Sequence, residues 1–227
     1  MKNNNKQIQV TAEHYNFDDY TDEARWMSYY FQVKEAIESG CKSFLLIGKG
    51  DGIVPAILGQ IMCLNNSNDR LSSEKQVIID TFDFDKNLSP TYTGDIRSID
   101  KIVSRKYDCI ICCQVLEHLK WKYFEGIIKK IWDLCLIRVI LSLPMRSLTF
   151  SFMVNMPLIH INYWNIIIPQ FYKKKLPWNG EHYWETGIKR YQKKDILKIL
   201  RKYFSIIREY NVPQNTYHWF IIMEPIN

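Results

Sequence analysis

Ser43-Phe-Leu-Leu-Ile-Gly-Lys-Gly-Asp-Gly-Ile53 is the stretch whose reading decides the fold. An apolar run from Phe44 to Ile47 stops at three glycines, Gly48, Gly50 and Gly52, and a helical pattern begins after them. A buried strand feeding a Gly-rich turn and then a helix lets backbone approach a bound ligand closely. Alone, this glycine spacing is equally that of a plain turn. Gln76-Val-Ile-Ile-Asp-Thr-Phe-Asp83 adds a second apolar strand ending in a carboxylate. In a βαβ unit Asp83 then falls beside the glycine turn, where it can accept hydrogen bonds from a ribose diol.

Working outward, residues 22–39 carry Trp26, Tyr29, Tyr30, Val33 and Ile37 at helical spacing, and Gly40 follows as a cap. Tyr15, Phe17, Tyr20 and Trp26 read more simply as core aromatics, with closure over a ligand as the other reading. Residues 53–64 form the next helix, with Pro55 in its first turn, where a missing N–H costs least. A polar loop, 65–73, leads to the strand 77–82. Thr93-Gly-Asp-Ile-Arg97 ends a short connection, so that Asp95 either meets an adenine amino group or stabilises a turn. Residues 107–113 are a third strand, 123–134 a helix and 136–143 a fourth strand stopped by Pro144. Continuous apolar strands alternating with helices predict an α/β fold, a doubly wound and mostly parallel sheet covered on both faces. Ligands of such sheets sit outside the carboxyl ends of the strands. The glycine turn, Asp83, Asp95 and the segment from Gln114 to His118 all fall there.

Residues 145–189 break the alternation. The stretch 150–168 is apolar but interrupted by Asn155, Pro157, His160, Asn162 and Asn165, a poor membrane-spanning helix. It is expected as an inserted substrate cap, or as an element lying on a membrane surface or on a second copy of the chain. Pro177-Trp-Asn-Gly-Glu-His-Tyr-Trp-Glu185 gathers titratable and aromatic side chains in a loop, a functional cluster or an aromatic plug. A helix at 193–203 and strands at 204–210 and 217–223 complete the sheet, the last two as an antiparallel edge hairpin.

A chain of 227 residues with 47% hydrophobic and 24% charged residues is read as one domain, 1–227. Ten lysines and arginines face three acids in residues 170–205, which accounts for the whole net charge of +6. That basic face suits an anionic partner or is simply solvated. The six cysteines have no framework or metal-ligand spacing, and no metal is expected. A reducing cytoplasm fits, and the polar N-terminus shows no secretory signal.

The stretch from Phe44 to Gly52 resembles the first motif of class I S-adenosylmethionine-dependent methyltransferases. Thr81-Phe-Asp-Phe-Asp85, Gly94-Asp-Ile-Arg97, Tyr107-Asp-Cys-Ile-Ile-Cys-Cys-Gln-Val-Leu-Glu-His-Leu119 and Leu141-Ser-Leu-Pro144 follow at that family's spacing. The resemblance spans roughly residues 40–145 and is to the small-molecule branch. Gly180-Glu-His-Tyr-Trp-Glu185 is similar to a segment of bacterial members that act in glycan and cell-surface biosynthesis. The resemblance implies a Rossmann-like methyltransferase fold and S-adenosylmethionine as cofactor. It implies that Gly48, Lys49, Gly50, Asp51 and Gly52 underlie the cofactor's amino-acid and ribose portion. Asp83 would take the ribose hydroxyls, Phe84, Asp95 and Ile96 the adenine, and Gln114 the methionine end. In one respect the chain departs from the pattern: Leu46 stands where the family usually has an acid, two positions before the first glycine.

The implied reaction is O-methylation of a small or glycan-like acceptor, phosphorylated or lipid-linked if the basic face binds it. His118 and His182 are the candidate bases, with Glu181 and Glu185 as orienting partners and Glu117 beside His118. Leu46 and the apolar 150–168 stretch leave open a catalytically weak or inactive interaction protein. A nucleic-acid methyltransferase is a further alternative, though no recognised nucleic-acid-binding module is present. A nicotinamide-dependent dehydrogenase ranks last, because the glycine spacing is not G-x-G-x-x-G.

Overall fold

The computed structural model describes residues 12–15, 20–68, 77–156, 159–173 and 181–226; Phe17, Pro157 and residues 177–180 lie outside them. The strands are β1 (Ser43–Ile47), β2 (Ile78–Asp83), β3 (Tyr92–Thr93), β4 (Tyr107–Cys113), β5 (Cys135–Pro144), β6 (Ser147–Met156), β7 (Ile159–Pro169), β8 (Phe204–Val212) and β9 (Asn215–Pro225). The helices are α1 (Glu23–Glu38), α2 (Ile53–Asn68), α3 (Ile99–Ile102), α4 (Phe124–Leu134) and α5 (Lys193–Leu200). Strand order in the main sheet is β3-β2-β1-β4-β5-β9-β8. The first five strands of that order are parallel, and β9 and β8 form the expected antiparallel hairpin.

Every residue of β1 is buried, as its unbroken apolar run requires of a strand with both faces covered. Its side chains alternate between two cores. Phe44 and Leu46 join Cys109, Ile111 and Ile140 against α1 and α2. Leu45 and Ile47 join Ile110, Cys112 and Leu141 against α4 and α5. Cys109 and Cys112 are thus small core residues, and burial raises both thiols well above the ordinary range. The Asp22 side chain caps α1 by accepting the Arg25 N–H at 2.7 Å. On the other end of α1, buried Glu35 accepts bonds from Tyr210 Oη at 2.6 Å and Arg208 at 2.5 Å, pinning the helix to β8. The helix after the glycine turn runs to Asn68, four residues into the stretch expected as loop.

The apolar stretch at 150–168 forms a two-stranded antiparallel ribbon, β6 with β7, in which Phe150 pairs with Ile166 and Phe152 with Trp164. Asn165 Nδ2 to Pro213 O, at 2.9 Å, and Thr216 Oγ1 to Thr149 Oγ1, at 3.0 Å, fasten it to the turn between β8 and β9. Phe150, Phe152, Met153, Trp164 and Ile166 are exposed. No helix among the described residues is long and apolar enough to cross a membrane.

Ile110 sits at the centre of β4 with no exposed surface. Ile110→Ala is expected to lower unfolding stability by about 2–5 kcal/mol in urea titration, against less than about 0.5 kcal/mol for exposed Leu136→Ala. Buried His218 in β9 gives a second expectation. Burial and the nearby Arg25 charge push its ring down to about 3, so the fold accepts it neutral. Below an unfolded value of about 6.5 the unfolded chain takes up the proton first, and this ring costs up to about 1.4 kcal/mol of stability per pH unit. The melting temperature should therefore fall between pH 6.5 and 4.5, and less steeply in His218→Asn; equal slopes would remove His218 as a cause.

Candidate functional site

β1 leads outward to β2 and β3, and the chain then returns to pair β4 on the other side of β1. At that reversal the carboxyl ends of β1, β2 and β4 diverge, leaving the crevice such sheets use for ligands. A cavity of about 750 Å³ lies there, within the range of small-molecule pockets.

The glycine turn forms its floor. Gly48 has φ +83° and donates to Phe82 O at 2.8 Å. A Cβ at Gly48 would come within 2.5 Å of Val115 Cγ2, so only glycine lets the turn pass this close to the segment leaving β4. Asp83 ends β2 beside that turn. Its Oδ2 accepts the Lys49 N–H at 2.7 Å and its Oδ1 the Asp85 N–H at 3.0 Å. The Lys49 ammonium reaches Leu88 O at 2.6 Å and Ser89 O at 2.9 Å. Asp51 accepts the Ile53 N–H at 3.1 Å at the start of α2 and Tyr29 Oη at 2.5 Å.

Of the residues expected to meet a cofactor, Gly48, Lys49, Gly50, Asp51, Asp83, Phe84, Asp95, Ile96 and Gln114 line this one cavity; Gly52 does not. Asp95 stabilises a turn, as one of its two readings has it. It accepts the Arg97 N–H at 2.9 Å and pairs in fork geometry with the Arg97 guanidinium, and both side chains line the wall. Gln114 is one of two non-glycine residues at positive φ, +55°, among the described residues. Such a backbone costs about 1–3 kcal/mol and is held by its surroundings. Here Gln114 N–H bonds Ser142 O at 3.0 Å and its Nε2 bonds Ser142 Oγ at 3.1 Å.

Helix α1 supplies a wall that the reading of motifs missed. Arg25, Tyr29 and Gln32 line the cavity, at the four- and three-residue spacing of one helix face. Tyr15 and Tyr20 line it too, so their core assignment is corrected: their rings meet edge-on with centroids 4.9 Å apart, while Trp26 is partly exposed. The Arg25 guanidinium lies 3.8 Å over the Tyr20 ring. Polar residues on an otherwise core-facing helix stripe were the available signal.

The catalytic candidates gather at one end, but only His118 lines the cavity. Its Nδ1–H donates to Glu181 O at 3.2 Å, and burial with the nearby His182 pushes it down to about 4. The His182 ring meets it edge-on with centroids 4.9 Å apart. His182 Nδ1 lies 3.1 Å from Glu185 Oε1, whose other oxygen takes Arg146 Nε at 2.8 Å. Burial opposes ionisation of Glu185, yet His182 and Arg146 bring it down to about 2. Burial likewise opposes a proton on His182, but Glu185 and Glu117 raise it overall. Glu117 itself is fully buried, which raises it to about 7, and neither of its oxygens has a hydrogen-bond partner among the described residues. The loop at 181–185 acts as an aromatic plug. Trp184 is buried, donates to Leu119 O at 2.9 Å and meets Trp121 edge-on, while Tyr183 next to it lines the cavity. None of the described lysines and arginines of 170–205 lines the cavity; Arg25, Lys49, Arg97 and Lys120 do.

No protein-family profile and no curated protein sequence matches the chain. Solved structures do. Magnesium protoporphyrin IX methyltransferase from Synechocystis PCC 6803, with bound S-adenosylhomocysteine, matches at TM-score 0.51 and 16% identity over 89% of this chain and 84% of its own. A Burkholderia thailandensis 1,6-didemethyltoxoflavin-N1-methyltransferase, with its substrate and S-adenosylhomocysteine bound, matches at TM-score 0.55 and 13% identity, over 92% and 82%. An O-methyltransferase family protein from the same organism matches at TM-score 0.60 and 8% identity, over 92% and 58%. At such identities the likeness is one of architecture: the chain has the class I S-adenosylmethionine-dependent methyltransferase fold.

Proposed function

We propose that the chain is an S-adenosylmethionine-dependent methyltransferase that methylates a hydroxyl of a small or glycan-like acceptor. The observation that carries this reading is the contact between Asp83 and the glycine turn: a carboxylate locked by the Lys49 N–H at 2.7 Å at the floor of a ligand-sized cavity.

The residues fit the cofactor. The Asp83 oxygens each use one lone pair on backbone and keep capacity for a ribose diol. Ile96 and half-exposed Phe84 offer apolar surface for the adenine, with Asp95 as acceptor for its amino group. The methionine end is zwitterionic. Leu46 cannot hold its ammonium, but Arg25 and Asp51 bring one charge of each sign to the same cavity. We assign Arg25 to the carboxylate and Asp51 to the ammonium.

When bound, the cofactor supplies a methyl already activated by its sulfonium, so the chain's contribution is chiefly alignment. Gln114, fixed by Ser142, and Val115 bound the cavity between the glycine turn and His118. Tyr15 and Tyr20 add aromatic surface to its wall. His118, oriented by the Glu181 carbonyl and backed by His182, reaches the acceptor's side. The glycan class of the acceptor rests on the resemblance of the segment ending at Glu185. An anionic acceptor would meet Lys120 or Arg97 rather than the basic face.

Buried Leu46 and the exposed apolar ribbon favour one rival, a non-catalytic interaction protein. Calorimetric titration of S-adenosylhomocysteine into the purified chain separates the two. Saturable one-to-one binding is expected, weakened about 10–100-fold by Asp83→Ala, the worth of a charge-assisted hydrogen bond. A folded protein that takes up no S-adenosylhomocysteine would leave the interaction reading standing.

A further inference from the structure

Glu117, His118 and His182 each offer one ligand atom within 4.8 Å of the others. We infer that these three residues form a binding site for a divalent first-row transition-metal ion at the acceptor end of the cavity.

Three independent features support this. The first is charge. Glu117 is fully buried and both its oxygens lack a hydrogen-bond partner among the described residues. An ionised carboxylate so placed costs several kcal/mol unless a cation meets it. The second is tautomer. His118 Nδ1–H donates to the Glu181 carbonyl, and His182 Nδ1 is directed at the Glu185 carboxylate. Each neutral ring then carries its lone pair on Nε2. Metal-binding histidines are oriented in this way, with the distal N–H on a carbonyl or carboxylate. The third is donor set. Two imidazoles and one carboxylate suit zinc, manganese, iron or cobalt in the divalent state, rather than calcium. Ligand atoms around such an ion lie about 3.5 Å apart at bond lengths of about 2.1 Å. From the 4.8 Å limit, a pair closes by at most about 1.3 Å.

Charge balance distinguishes this cluster from an ordinary buried network. Glu185 is already compensated by Arg146 at 2.8 Å and by His182. Glu117 has no hydrogen-bonded cation among the described residues, and each of the two rings offers a nitrogen within 4.8 Å of it. Linear spacing hid the site, because His182 arrives from the loop after the ribbon, whereas Glu117 and His118 leave β4.

The role of the ion rests on the methyltransferase reading; the site does not. Three protein ligands leave coordination positions open, and His118 also lines the cavity. An acceptor hydroxyl bound at an open position would keep its oxygen on the metal and lose its proton to solvent more readily, as metal-bound water does. His118 then acts as a ligand rather than as a free base.

The test is a cobalt(II) titration of the full chain, freed of metal by chelator, followed by visible d–d absorption, with S-adenosylhomocysteine calorimetry on the same sample. One equivalent per chain is expected to bind. Glu117→Gln and His182→Asn should each weaken binding by more than about 100-fold, and Glu185→Gln, which meets the three ligands only through the distal nitrogen of His182, by about 10–100-fold. Circular dichroism of each variant confirms that it folds; Glu117→Gln removes a buried charge and should not lose stability. Absence of stoichiometric cobalt binding to folded wild type, or binding unchanged in Glu117→Gln, overturns the site. Cofactor binding without cobalt binding would refute the metal alone. Cobalt binding without cofactor binding would refute the methyltransferase reading alone.

Discussion

The carboxylate of Asp83 joins the two halves of the ligand site. One oxygen takes the N–H of Lys49 in the turn after β1, and the other takes the N–H of Asp85 beyond its own strand. A carboxylate at the end of β2 is cheap to desolvate only when backbone donors meet it, and the glycine turn supplies one because positive φ at Gly48 and Gly50 aims its amides across the gap. The same contact, with Gly48 N–H on Phe82 O at 2.8 Å, holds the turn against the end of β2 beside the cavity. Gly94 N–H to Asp83 O, at 2.9 Å, carries the connection on to β3 and brings Asp95 to the same rim. β2, the connection to β3, the glycine turn and the cavity are thus tied through one residue.

Much of this was legible in the sequence because it is local. Continuous apolar runs reported β1, β2 and β4, and the alternation of those runs with helical spacing reported a covered parallel sheet. Asp83 and Gln114 could be placed because the ends of parallel strands converge whatever the loops do. The apolar stretch at 150–168 was harder, since a run broken by polar residues does not by its period choose between strand and helix. Its pairing into a ribbon is non-local, fixed by Phe150 against Ile166 and by anchors to Pro213 and Thr216 far along the chain. Tyr15 and Tyr20 misled for a related reason. An aromatic ring over a cavity and one inside a core have the same spacing, and only the opposing wall distinguishes them.

The His118 end of the cavity illustrates the same limit at the level of chemistry. Glu117 and His118 were visible as a pair, but their surroundings come from the loop at 181–185, whose Tyr183 N–H bonds Glu117 O at 2.9 Å and whose Trp184 fills the space beside Trp121. That aromatic packing fixes the loop, and the fixed loop sets the His118–His182 edge contact. Plug and functional cluster were posed as alternatives on the sequence; structurally the plug also holds His182 against His118.

Leu46 shows why one missing acid need not abolish a ligand site. Its side chain belongs to the core beneath α1 and α2, continuous with Phe44 and Ile111. A carboxylate there would have to be desolvated in apolar surroundings, at a cost its ligand must repay. Asp51 sits three residues past the first glycine at the head of α2, where the Ile53 amide and the Tyr29 hydroxyl already stabilise its charge. Arg25 from α1 lines the same cavity. A zwitterion needs one charge of each sign, not a particular position in a motif, and on the proposed reading Arg25 and Asp51 are those two charges.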